Sequence, residues 1–116
     1  MNSPLPAGSA RNRRAFPRKA IRRPAAVMHA GEVSQLRTWD LSREGMCLLS
    51  PKPISPGRRC TATFTLPLPE GETPVTLAFK VVYSSYTGPD GFKIGAVFSD
   101  LEPETAGIID AFVTTS

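Results

Sequence analysis

The chain has 116 residues, a formal net charge of +4, 41% hydrophobic residues and 21% charged residues. That length allows one domain with one modest core and excludes two packed catalytic domains. The composition excludes a disordered or fibrous chain. Twelve prolines and nine glycines argue against a long-helix bundle and for short strands joined by turns.

The first ten residues, Met1 to Ala10, are rich in Pro, Gly, Ser and Ala and read as a flexible tail. Residues 11–24 form a basic arm. Residues 1–24 carry Arg11, Arg13, Arg14, Arg18, Lys19, Arg22 and Arg23 and no acid, since the first acid is Glu32. A cationic arm seeks an anion: phosphate, nucleic acid or an acidic surface. Pro4, Pro6 and the arginines interrupt this end, so it does not read as a secretory signal. No apolar run approaches the ~20 residues that cross a bilayer. The expectation is a cytoplasmic protein with no membrane insertion.

Residues 25–116 read as a single β-rich domain. Strands are expected at Ala25–Ala30, Ser34–Leu41 and Gly45–Ser50, the last two joined by the turn Ser42-Arg43-Glu44-Gly45. From Arg58 to Leu66 the alternation is clear. Cys60, Ala62, Phe64 and Leu66 share one face, and Thr61, Thr63 and Thr65 share the other. Pro67 to Pro74 reads as a turn-rich break. Val75–Ser84 follows as a strand with Val75, Leu77, Phe79 and Val81 inward. A hairpin loop at Thr87–Gly91 leads to a sixth strand, Phe92–Phe98. The period then changes to helical: Ile108, Ile109, Phe112 and Val113 mark a closing helix within Glu102–Thr114. The sum is an all-β fold, a six-stranded antiparallel β-barrel with a C-terminal α-helix.

Trp39 alternates with Asp40 and is expected in the core if its strand is regular. His29, the only histidine, reads as structural or exposed. Cys47 and Cys60, the only cysteines, read as buried reduced thiols, with no metal-ligand spacing.

Two motifs carry chemistry. Arg14-Ala15-Phe16-Pro17-Arg18 is an R-x-x-x-R, expected ~0.8 times by chance in this composition and weak alone. Asp40-Leu41-Ser42-Arg43-Glu44-Gly45 is a D-x-S-x-x-G, expected only ~0.03 times. In this order, and in an all-β chain, the pair resembles the PilZ domain family, bacterial receptors for cyclic di-GMP. The resemblance runs from about residue 11 to 114. It includes Arg13 ahead of the first motif and the strand Lys93-Ile94-Gly95-Ala96-Val97-Phe98, whose Gly95 matches a family glycine. It implies the same six-stranded barrel and helix.

The ligand's chemistry suits these residues. Guanidinium forks satisfy phosphate oxygens and the adjacent O6 and N7 of guanine, and their faces stack on purines. A carboxylate accepts from the guanine N1–H and N2–H₂ edge. The resemblance implies that Arg14 and Arg18 grip guanine and phosphate, with Asp40, Ser42 and Gly45 as the complementary barrel surface. Gly45 would tolerate positive φ and admit a base to the backbone. Arg13 matches the extra arginine of members that bind a stacked ligand dimer. Tyr83 ends the fifth strand, where some members carry a stacking aromatic; a rim or core role is the alternative. Arg22 and Arg23 border the site or stay solvated.

The expected function is a cyclic di-GMP receptor that orders its arginine arm over the barrel and signals to a downstream protein. No cofactor is implied beyond the ligand, and no residue set reads as an enzyme's. One alternative is a basic-arm β-barrel that binds nucleic acid; Asp40 and the single aromatic of the arm, Phe16, weigh against it. Another is a PilZ-like protein-interaction adaptor without ligand, which the intact motifs disfavour.

Overall fold

The computed structural model describes residues 17–115. It contains β1 (Lys19–Ala20), β2 (Pro24–His29), β3 (Glu32–Leu41), β4 (Gly45–Ser50), β5 (Arg59–Leu68), β6 (Gly71–Tyr86), one 3₁₀ turn (Gly88–Asp90), β7 (Phe92–Phe98) and α1 (Pro103–Thr114). All strand pairings are antiparallel. The ladder runs β3–β2–β5–β6–β7–β4 and returns to β3, so six strands close on themselves. The six expected strands and the helix are all present. The short β1 is an addition: it pairs with the end of β3, Lys19 opposite Leu41 and Ala20 opposite Asp40.

The alternation that marked β5 and β6 sorts as expected. Cys60, Ala62, Phe64, Leu66, Val75, Leu77, Phe79 and Val81 are buried inside the ring. Met46, Leu48, Ile94 and Ala96 join them from β4 and β7. Helix α1 packs against β5 and β6 and buries Ile109, Phe112 and Val113. Burying one such side chain is worth about 1.5–3 kcal/mol, so this interior is the main term that closes the ring. The Pro67–Pro74 break is corrected. Those residues extend the β5–β6 hairpin to a two-residue loop, Pro69–Glu70, with Pro67 opposite Glu72 and Pro74 opposite Thr65.

β1 and β2 share one edge of β3, interrupted at residues 21–23. Thr38 knits the gap. Its buried hydroxyl donates to the Ile21 carbonyl at 2.8 Å and accepts from the Arg23 N–H at 2.8 Å. The Thr38 N–H donates to the Arg23 carbonyl, and the Ile21 N–H to the Trp39 carbonyl. The basic residues from Arg18 to Arg23 are therefore fastened to the sheet. Lys19 reaches α1, where Nζ donates to the Phe112 carbonyl at 3.0 Å and the Thr115 carbonyl at 2.6 Å and sits 4.4 Å from the Phe112 ring centroid. A cation there meets the negative end of the helix dipole.

Two bulges shape the outer surface. In β3 the pairing steps from Thr38–Leu48 to Asp40–Cys47, leaving Trp39 as the extra residue. In β6 it steps from Val81–Ala96 to Tyr83–Gly95, leaving Val82 extra. A bulge sets two residues against one, so two successive side chains face the same way. The expectation of a core Trp39 fails for this reason. Thr38 and Leu41 are buried, while Trp39 and Asp40 both stay partly exposed.

Candidate functional site

The bulges lie at the same level of the ring, one on each side of β4 and β7. Register then aligns four residues across four strands: Asp40 on β3 opposite Cys47 on β4, Cys47 opposite Gly95 on β7, and Gly95 opposite Tyr83 on β6. Together with Arg18, this row lines an open cleft of about 580 Å³, whose rim includes Glu44, Gly45, Val82 and Lys93.

Arg18 is the cationic end of the row. Its Nε and Nη2 donate to Asp40 Oδ1 at 3.2 and 2.9 Å. Nη2 also lies 3.9 Å from Cys47 Sγ. Burial works against the charged guanidinium, but the Asp40 hydrogen bond and charge, with Cys47, outweigh it and hold the Arg18 pKa above its usual value. At the other end Tyr83 reaches back over β7, and its hydroxyl lies 3.3 Å from Cys47 Sγ. Burial first, then the Cys47 hydrogen bond and the Cys47 and Asp40 charges, push the Tyr83 phenol up to about 12; Arg18 opposes them. Among the described residues the cleft thus offers one guanidinium, two carboxylates, one ammonium and an aromatic ring within a few strands' width.

Gly45 and Gly95 both line the cleft, and the expected positive φ at Gly45 is not found. A Cβ on it would run into the Ala96 carbonyl oxygen, so glycine is needed where β4 and β7 approach. A Cβ on Gly95 would instead collide with the Tyr83 ring, so the missing side chain is the seat of that ring.

Ser42 is fully buried, and its hydroxyl holds the β3–β4 turn. It donates to the Gly45 carbonyl and accepts from the Glu44 and Gly45 N–H groups, each at 3.2 Å. Its side chain shapes the turn rather than facing the cleft. Arg43 in the same turn pairs with Asp110 of α1. Arg13 and Arg14 lie outside the described residues. Arg22 stacks on Trp39, its guanidinium carbon 3.6 Å from the ring centroid, and donates to the Trp39 carbonyl. Arg23 forks onto Glu72 at 3.0 and 3.1 Å. His29 ends β2, opposite Glu32, at the other end of β3 from Asp40.

Sequence reading missed Cys47, Glu44, Val82 and Lys93 as cleft residues. For Cys47 a signal existed: two places after Gly45, strand alternation puts it on the outer face with that glycine. Both cysteines are free and buried. Burial raises the Cys60 thiol pKa, against the pull of Arg58. Among the described residues no cluster of three or more His, Cys, Asp or Glu could hold a metal ion, and no helix is long and apolar enough to cross a membrane.

The described residues form a closed antiparallel ring with a terminal helix, and the D-x-S-x-x-G turn lies beside the incoming Arg18. The PilZ domain family profile matches residues 12–115, and the chain belongs to that family.

The fold is shared with solved structures at low identity. The PilZ domain with c-di-GMP of YcgR from Escherichia coli aligns with a TM-score of 0.68 and 18% identity, over 87% of this chain and 88% of that one. Bacillus subtilis MotI/DgrA, an inhibitor of motility, aligns at 0.72 and 13%, over 83% of this chain and 47% of that one. Borreliella burgdorferi PlzA in complex with c-di-GMP aligns at 0.66 and 16%, over 93% and 44%. The chain thus spans about half the length of MotI and PlzA. A comparison with curated proteins finds no match.

Proposed function

We propose that this chain is a receptor for cyclic di-GMP, with Arg13, Arg14, Arg18, Asp40, Ser42, Gly45 and Tyr83 making its site. The observation that carries the reading is the convergence of Arg18, Asp40 and Tyr83 on one cleft of a PilZ domain. Arg18 and Asp40 satisfy each other, and a ligand with phosphates and guanines can satisfy both separately. Phosphate oxygens take the guanidinium, and a guanine N1–H and N2–H₂ edge takes the carboxylate. Tyr83 supplies a face at the opposite wall. Ser42 and Gly45 act through the turn and the strand approach that place Asp40. Arg13 and Arg14 bring further guanidinium groups from residues 11–16, which close over the ligand in this reading. That ordering costs about 1–2 kcal/mol per residue fixed, so several strong contacts are required. Arg13 favours two stacked ligands per site.

The bound form signals to a protein partner in the cytoplasm, and the chain acts as a regulator rather than an enzyme. YcgR and PlzA have been captured with c-di-GMP, which supports the ligand class. The test is calorimetric titration with cyclic di-GMP beside cyclic di-AMP, GMP and GTP. Binding of cyclic di-GMP alone is expected, at one or two per chain, and it should be abolished in Arg14→Ala and in Arg18→Ala with unchanged melting temperatures. Wild-type affinity in both variants would refute the site.

A further inference from the structure

Cys47 lies at the centre of the cross-strand row, and no motif accounts for it. Its neighbours Met46 and Leu48 point into the ring, so its own side chain points outward. Yet it is only 6% exposed, because it lies beneath the two cleft walls. From one side Arg18 Nη2 approaches Sγ to 3.9 Å; from the other the Tyr83 hydroxyl approaches to 3.3 Å. The Tyr83 ring reaches it by lying across Gly95, where no Cβ obstructs it. Two side chains that are remote in sequence thus end on one sulfur atom.

We infer that Cys47 is the positioning residue of the cleft: its sulfur is the common stop for the Tyr83 phenol and the Arg18 guanidinium, and so sets the separation of the walls that take a nucleotide base. The inference rests on the receptor reading and adds a residue to that site.

The chemistry favours sulfur at this point. A thiol is a weak donor and a weak acceptor, so it can face a hydroxyl and a guanidinium together without holding either tightly. Sulfur also reaches further from Cβ than oxygen, and it is large and polarisable enough to pack against a ring edge. A serine hydroxyl would bond more strongly but fall short of one partner. An alanine methyl would release both. With alanine Tyr83 loses its stop and swings over Gly95, while Arg18 keeps only Asp40; with serine one of the two contacts survives.

The contacts of the ligand would be with Tyr83 and Arg18, not with the thiol. The effect of replacing Cys47 is therefore indirect and must show in the Tyr83 environment as well as in affinity. The titratable groups that face the phenol are Cys47 from β4, Asp40 from β3 and Arg18 ahead of β1. The first of these supplies the hydrogen bond.

The chain has two tyrosines, so the experiment uses a Tyr86→Phe background, in which Tyr83 is the only one. Its ionisation is read by ultraviolet absorbance after rapid alkaline pH jumps, before the chain can unfold. Affinity for cyclic di-GMP is read by calorimetry in parallel. In Cys47→Ala the Tyr83 midpoint should fall towards the ordinary value of 10 and the dissociation constant should rise at least roughly fivefold, with Cys47→Ser between it and the parent. An unchanged midpoint, or an affinity within twofold of the parent in a folded Cys47→Ala, would overturn the inference. If Cys47→Ala does not fold, the same criteria apply to Cys47→Ser. Should the parent bind no cyclic di-GMP at all, the receptor reading fails, and the Tyr83 midpoint alone decides the positioning role.

Discussion

The ring of Tyr83 rests on the bare Cα of Gly95, its register partner across β6 and β7. The residue that seats the aromatic wall is thus the one without a side chain. Gly95→Ala should expel the ring and lower cyclic di-GMP affinity by at least roughly tenfold, equivalent to about 1.4 kcal/mol. Calorimetry and a structure of the variant check this; an unmoved ring with parental affinity would contradict it.

Arg18 and Ser42 should separate binding from stability. The Arg18–Asp40 pair is partly exposed at 33% and 22%, so its loss in Arg18→Ala should change unfolding free energy by less than about 1 kcal/mol. Ser42 has a fully buried hydroxyl with three turn contacts. Ser42→Ala should cost about 1–3 kcal/mol through unpaired buried groups. Urea unfolding of the two variants decides the matter, and the reverse order would refute the assignment of Ser42 to the turn.

Thr38→Val keeps the shape and removes the hydroxyl that joins residues 21–23 to β3. It leaves the Ile21 carbonyl without its donor and the Arg23 N–H without its acceptor. The expected loss is about 1–3 kcal/mol, with faster amide exchange at Arg23. Parental exchange at that amide would show that the hydroxyl is dispensable.

Alkaline stability should report on Tyr83. The free phenol titrates at 10 and the folded one at about 12, so the folded chain holds this proton more tightly. The stabilisation is complete below pH 10 and lost as pH climbs through 12. Between those values the parent should lose stability relative to Tyr83→Phe, which has no proton to release. Parallel urea-unfolding curves for the two proteins at pH 9, 10.5 and 12 would rule this out.

Much of the barrel is written in local pattern. The run Cys60, Ala62, Phe64, Leu66 against Thr61, Thr63, Thr65 specifies β5, and Ile109, Phe112 and Val113 specify the inner stripe of α1, because each periodicity acts within one element. The two prolines at 67 and 74 misled, since a proline breaks only the bond its own N–H would make and a hairpin can absorb it. The bulges were not legible. Whether Trp39 or Val82 is the surplus residue depends on the register of the partner strands, which neither strand encodes alone. With the bulges went the cleft's outer row: Cys47 meets Tyr83 only because β4, β6 and β7 stand in one particular register. Of the D-x-S-x-x-G motif, Asp40, Glu44 and Gly45 line the cleft, while the Ser42 hydroxyl holds the turn beneath it.

Arg18 and Lys19 are consecutive, yet one faces the cleft through Asp40 and the other holds the carbonyl end of α1. The turn that follows Asp40 also sends Arg43 to Asp110 on that helix. Cleft and helix therefore hang from the same two short stretches of chain, like opposite pans on one beam.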